Sequence, residues 1–324
     1  MSTKAWTFLA MAYGWALAVG GALALLGIPL GSGAGLAVIA LLYMPAPAVA
    51  ALAVERRLVR SRLRVPRREG GRAVVRFFAL PVLVVLAATG VLAAVTALLG
   101  NELRIPGVGV LAVDPESLRE SLTALLGTEG AGGVRLPASP VATVIVAVVG
   151  GVLAGWTVNG LFALGEEYGW RGLLWEEVRP RGILAANLII GAAWGLWHAP
   201  LILLGYNYPG HHLAGVAMMV VFTTAFSFVL TAVRELTGSV LPAAAAHGAF
   251  NGVAVFVTLA IPGANPLVGG PLGLLGCGAL ALVAVVLWFR VARASELDAG
   301  AVTGVTAPTY ARRSSTTRRT PRRR

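Results

Sequence analysis

Apolar runs of roughly membrane-spanning length recur along this 324-residue chain, separated by short polar or charged stretches. A helix rises about 1.5 Å per residue and a bilayer core is about 30 Å thick, so about 20 apolar residues make one span. Such runs lie near residues 7–27, 34–54, 73–100, 140–178, 182–204, 213–233, 239–261 and 271–290. They predict an all-α, polytopic integral membrane protein with about eight transmembrane helices. The fourth run is too long for one straight span, so it must bend or begin outside the membrane. Gly150, Gly151, Gly155 and Gly160 offer places to do so. The first run lacks an A-x-A-like cleavage site and continues into further spans, so it is expected to be retained rather than cleaved as a signal peptide. Composition agrees: 57% of residues are hydrophobic and 12% charged, with a mean hydropathy of +0.80. Those values exclude an ordinary soluble domain. Cys277 is the lone cysteine, which excludes a disulfide framework and a Cys-x-x-Cys metal site.

Charge adds orientation. The net charge of +12 is concentrated in two places: residues 55–72 hold eight Arg against two Glu, and residues 312–324 hold seven Arg and no acid. Positive charge marks the cytoplasmic side, so both segments and both termini are expected there. Alternation then puts the 101–139 loop outside, where five acids outweigh three Arg, and Arg179, Arg181 and Arg234 inside. Basic loop 55–72 and tail 312–324 are expected to rest on anionic lipid; nucleic acid is not an expected partner. Three regions result: N-terminal helices with the basic and external loops (1–139), a core (140–291), and a disordered basic tail (292–324).

Against this apolar background a few polar groups stand out. Between residues 140 and 290 the acids are Glu166, Glu167, Glu176, Glu177 and Glu235, and two of the chain's four histidines lie deep in apolar runs. An ionisable group inside a span costs several kcal/mol and marks a functional site by default. Glu167 and Arg171, four apart, share a helix face and can pair, while Glu166 points about 100° away without that partner. Desolvation disfavours the charged form of a carboxylate, which suits a general base or acid near neutrality. Solvation at the membrane edge is the bland alternative. His198 follows an apolar run broken only by Asn187, with Trp194 one turn before it. Alone it could be a core histidine bonded to a carbonyl. Pro200 removes a helix hydrogen bond and frees the Leu196 carbonyl, which favours a kink or polar pocket there. His247 and Asn251 are again four apart, beside four alanines and Gly248 that leave room for another backbone or a substrate. Alone they could be interhelical glue.

Depth joins the three sites. Glu166 lies on the order of 20 Å from Arg179, His198 about 26 Å from Arg181, and His247 about 20 Å from Arg234. All three can therefore meet within the membrane, provided the Glu-bearing helix runs on through Trp175 to Arg179.

Glu-Glu-x-x-x-Arg (Glu166, Glu167, Arg171), aromatic-x-x-x-His (Trp194, His198) and His-x-x-x-Asn (His247, Asn251), in that order on consecutive helices, resemble the CPBP family of intramembrane proteases. This family includes the CAAX prenyl endopeptidases and the bacterial Abi proteins tied to bacteriocin processing. The resemblance covers about residues 161–253. It implies an all-helical membrane endopeptidase with the site in a cavity open to one side. It further implies that Glu166 and His198 activate water, that His247 and Asn251 stabilise the oxyanion, and that Glu167 and Arg171 orient the first helix. Trp194 joins them as a supporting residue.

An older view of the family makes Glu166, His198 and His247 ligands of a zinc ion, since Glu/His/His is also a catalytic zinc set. No H-E-x-x-H occurs in the chain, and the reading preferred here needs no cofactor. Asp114 and Asp298 are the chain's aspartates and lie outside the predicted spans, which excludes an intramembrane Asp dyad. Ser239 lacks a G-x-S-x-G context. The expected function is hydrolysis of a peptide bond in a membrane-tethered protein or peptide, by CAAX-type processing or leader-peptide maturation. The alternatives are a non-catalytic immunity or scaffold protein and a proton-coupled transporter, because Glu and His chains also serve as proton relays.

Overall fold

The computed structural model describes residues 1–66 and 70–303, with side chains described up to residue 294. Its regular structure is helical throughout. Among the described residues six helices are long and apolar enough to cross a membrane: α1 (Thr3–Leu25), α2 (Gly33–Glu55), α3 (Gly71–Glu102), α9 (His212–Thr237), α10 (Val240–Leu259) and α11 (Leu274–Thr303, apolar over Leu274–Ala294). A seventh crossing is a bent pair, α5 (Pro140–Trp156) and α6 (Val158–Arg181), meeting at 51°. The remaining predicted span is shorter than expected, because α7 (Ile183–Trp197) stops at His198 and a five-residue helix, α8 (Ala199–Leu203), follows. Pro200 in the first turn of α8 accounts for the break. A short amphipathic helix, α4 (Pro115–Gly132), lies in the polar loop before α5. The chain is thus a polytopic, all-helical membrane protein. Its last helix runs to Thr303, past the expected tail boundary at 292, and the Arg-rich segment 312–324 lies outside the described residues.

Small residues decide which helices touch. At the bend between α5 and α6, Gly155 and Gly160 bring α10 against backbone. A Cβ on Gly155 would stand 2.6 Å from the Ala245 carbonyl oxygen, and one on Gly248 would stand 2.5 Å from the Gly160 nitrogen. The room left by the alanines and Gly248 is therefore occupied by another helix backbone. On the other flank a Cβ on Gly195 would sit 2.5 Å from Val220 Cα, and Thr223 Oγ1 donates to the Gly191 carbonyl at 2.8 Å. Ser227 Oγ donates to Asn187 Oδ1 at 3.1 Å in the same seam. Lipid gives helices no hydrophobic reason to associate, so close backbone approach and interhelical hydrogen bonds hold α7 on α9 and α6 on α10.

One group of charged residues collects at one end. Lys4, Glu55, Arg62, Glu176, Glu177, Arg234 and Glu235 form a continuous set of ion pairs there. Ser239, at the start of α10, donates to the Arg62 carbonyl at 3.3 Å. The other end of α10 meets the 103–113 loop, where Val110 N–H donates to the Pro262 carbonyl at 3.1 Å and Ala112 N–H to the Ala260 carbonyl at 2.9 Å.

Candidate active site

Helix α6 continues unbroken from Val158 through Trp175 to the Arg179 region, as the depth argument requires, and widens into a π-helical stretch over Tyr168–Leu174. Such widening inside α-helices recurs at functional sites. Glu166 and Glu167 close the α-helical part and are both buried.

Glu167 is the hub. Its Oε1 accepts from Arg171 Nη1 at 3.1 Å and from His247 Nδ1 at 2.9 Å. The Arg171 guanidinium, fully buried, also lies 4.3 Å from the centre of the Trp194 ring. A carboxylate on one side and an aromatic face on the other are the arrangement that makes a desolvated guanidinium tolerable. Trp194 turns its ring nitrogen the other way, and Nε1 donates to Glu166 Oε2 at 2.7 Å. Glu166 is thus held by a neutral donor, with Oε1 left over.

His198 is oriented by the helix break. The last carbonyls of a helix lack intrahelical partners, and side chains take those at the end of α7. His198 Nδ1 donates to the Trp194 carbonyl at 2.9 Å, Tyr13 Oη donates to Ala193 at 2.7 Å, and Tyr43 Oη donates to Trp197. A carbonyl can only accept, so Nδ1 of His198 carries the proton and Nε2 of the neutral ring keeps its lone pair. His198 thus caps a carbonyl, as a core histidine would, and uses only Nδ1 to do so. The same logic protonates His247 Nδ1 against Glu167. Aromatic packing holds the rings: Trp194 meets His247 at 5.2 Å and Trp197 meets His198 at 4.9 Å, both edge to face.

These elements enclose a cavity of about 280 Å³, and Glu166, Trp194, His198, His247 and Asn251 all line it. Glu167 and Arg171 do not; they stand behind it and fix His247 and Trp194. Asn251 is half-buried, one turn beyond His247 on the same wall. All seven residues singled out from the sequence therefore converge. Sequence reasoning missed Tyr43, Trp197 and Tyr206, which also line the cavity. Tyr43 carried the one available signal, a hydroxyl inside an otherwise apolar span.

The zinc alternative requires Glu166, His198 and His247 to face one ion. Among the described residues no group of three His, Cys, Asp or Glu side chains is placed to hold a metal. Glu166, His198 and His247 all line the one cavity.

The sequence pattern of the family described as type II CAAX prenyl endopeptidase Rce1-like matches residues 141–253, the stretch that contains all seven residues. The CAAX prenyl protease 2 of Methanococcus maripaludis is 39% identical over 49 residues, covering 15% of this chain and 18% of that protein. Residues 141–253 are thus similar to the Rce1-like type II CAAX prenyl endopeptidase family, whose members are membrane endopeptidases.

Proposed function

We propose that this protein is an intramembrane endopeptidase that cuts a membrane-tethered protein or peptide with water activated by Glu166 and His198. The observation that carries this is the convergence of Glu166, His198, His247 and Asn251 on one cavity inside the helices. Glu166 takes a proton from water, and the oxygen attacks the scissile carbonyl. His198 Nε2 accepts a hydrogen bond from that water and orients it. Asn251 donates to the oxyanion from its amide, and His247, held through Nδ1 by Glu167, adds to the stabilisation beside it. The proton on Glu166 then passes to the leaving nitrogen as the C–N bond breaks, giving an acid and an amine. Arg171 and Glu167 position His247; Trp194 positions Glu166. No cofactor is needed for this sequence.

An extended chain can reach the cavity only along a wet route, since unpaired backbone is not tolerated against lipid. The substrate is therefore an unfolded segment held at the membrane, not a folded soluble protein. The arginine-bearing end faces the cytoplasm with both termini, in keeping with the positive-inside rule, and its loop binds anionic lipid.

The test uses purified protein in proteoliposomes with a fluorogenic peptide tethered by an acyl chain. Wild type is expected to cut it and Glu166→Gln not to, with equal expression. Full turnover by Glu166→Gln would overturn the base assignment. Activity is expected to survive a strong chelator; loss on chelation with recovery on adding Zn²⁺ would reassign Glu166, His198 and His247 as ligands.

A further inference from the structure

Next to the catalytic cavity lies a larger trough of about 530 Å³, and the two share Asn207, Thr258 and Leu272 as common walls. One side of the trough is α4, contributing Ala124 and Leu125; the other is the loop after α10, contributing Ile261, Pro262, Pro266 and Pro271. Except for Asn207, every residue lining it lies outside residues 141–253. It is therefore built almost wholly from residues outside the matched segment.

The trough is built to persist. Leu118 and Leu122 bury the inner face of α4, and Arg119 Nη1 donates to the carbonyls of Ala131 at 2.7 Å and Val134 at 2.8 Å. The kink at Gly127, with φ 73°, turns the chain back toward that arginine. Across the trough, Asn265 N–H donates to the Gly107 carbonyl at 2.9 Å, and its side chain accepts from Leu267 N–H at 2.9 Å. Prolines remove donors from the wall and stiffen it. Glu120, exposed at the rim, is the one charged residue of the lining. The trough also lies at the end of α10 away from the arginine cluster, whose Arg62 bonds Ser239 at the other end.

We propose that this trough is an exosite for an apolar stretch of the cleaved chain, flanked by a basic residue that meets Glu120, presented on the membrane face opposite the arginine cluster. The inference rests on the peptidase reading of the adjoining cavity. It narrows the substrate class to segments exposed on the non-cytoplasmic side, because a chain threading from the trough passes Asn207 and Thr258 before it reaches Asn251 and His247. Apolar residues supply affinity and the rim carboxylate supplies register.

The experiment uses the full chain in detergent micelles and two randomised peptide libraries. One is long enough to extend over the trough; the other is truncated to fill the catalytic cavity alone. Mass spectrometry of the products is expected to show apolar residues with a nearby Lys or Arg enriched at a constant distance from the cut in the long library. Ala124→Trp, which fills the trough, is expected to raise KM on the long library about tenfold and leave the short one unchanged. Glu120→Lys is expected to remove the basic preference while keeping the apolar one. Leu126→Trp, on the same helix but outside the lining, is the control for damage to α4. Equal enrichment in wild type and Ala124→Trp would overturn the exosite. A second arm does not depend on turnover: an apolar peptide carrying a benzophenone is crosslinked to wild type and Ala124→Trp, and the attached residues are mapped. Crosslinks at residues 120–125 or 262–271 that vanish in Ala124→Trp, without any cleavage, would keep the exosite and remove the peptidase reading. Cleavage without such crosslinks would keep the peptidase and remove the exosite.

Discussion

Two ionic clusters occupy different heights in the same helix bundle and treat their charges in opposite ways. At the arginine-bearing end, Arg62 is 3% exposed and bonds two carboxylates, Glu55 Oε1 and Glu176 Oε1, each at 2.9 Å. Arg234 lies 3.6 Å from Glu176 and pairs with Glu235, and Lys4 meets Glu55 at 2.9 Å and Glu177 at 3.4 Å. Burial alone would lower the Arg62 pKa, but Glu176 and Glu55 outweigh it and hold the guanidinium above its ordinary value. Every carboxylate in that cluster has a cation. In the interior, Glu167 is spent on Arg171 and His247, while Glu166 beside it receives only the neutral indole N–H of Trp194. A cluster that serves packing closes its charges on one another. On the proposed peptidase reading, the inner cluster leaves a carboxylate open to the cavity for chemistry, although burial makes that costly.

The largest effect is expected where the open carboxylate is removed. Glu166→Gln keeps the shape and the acceptor for Trp194, so it is expected to lower turnover by up to roughly 10⁴-fold, the span of general base catalysis, with an unchanged melting temperature. Equal turnover would make the inner cluster a packing device like the outer one. Asn251→Ala is expected to cost on the order of 10²-fold in kcat, as for loss of one oxyanion donor, with KM little altered.

The outer cluster is expected to respond in the opposite quantity. Arg62→Met leaves Glu55 and Glu176 facing each other and is expected to destabilise by about 3 kcal/mol, the range for breaking a buried pair, read as a lower melting temperature in detergent. The kcat per folded molecule is expected to stay at the wild-type value; a loss of kcat at temperatures where the variant is fully folded would tie this end to catalysis. Glu167→Gln combines both signatures, since it strands Arg171 and frees His247, so stability and kcat should fall together. The smallest effect sharpens the difference in wetness. In a Cys277→Ser background, Ala254→Cys on the cavity wall should react with a small aqueous thiol reagent, whereas Ala246→Cys, buried against Val84 and Phe250, should not. Absence of labelling at both positions would mean that the cavity is closed to water.

Much of this was legible before any coordinates. Charged and amide groups inside apolar runs are too expensive to be incidental, so Glu166, Glu167, Arg171, His198, His247 and Asn251 stood out one by one. The Glu167–Arg171 pair followed from helical spacing, and the bend in 140–178 followed from length and glycine content. The span count was harder to read: the run at 182–204 is apolar apart from Asn187 and His198, yet α7 ends at Trp197, because Pro200 lacks the N–H that would continue the helix and His198 Nδ1 caps the Trp194 carbonyl. Tyr43 and Trp197 escaped notice because aromatic residues in apolar spans are ordinary, and the Tyr43 hydroxyl was the one signal among them.

The sequence by itself determined the class of protein, the residues able to carry chemistry, and the face of its own helix that each one occupies. Helical periodicity and the cost of burying charge act locally, so they can be read from spacing. Only the tertiary structure decided who pairs with whom. Glu167 is shared with His247 eighty positions later and Glu166 with Trp194 twenty-eight positions later, and the trough joins α4 to a loop near the other end of the chain. Those partnerships depend on which glycine seams let two backbones close. That is a property of helix surfaces in contact, which no single helix contains.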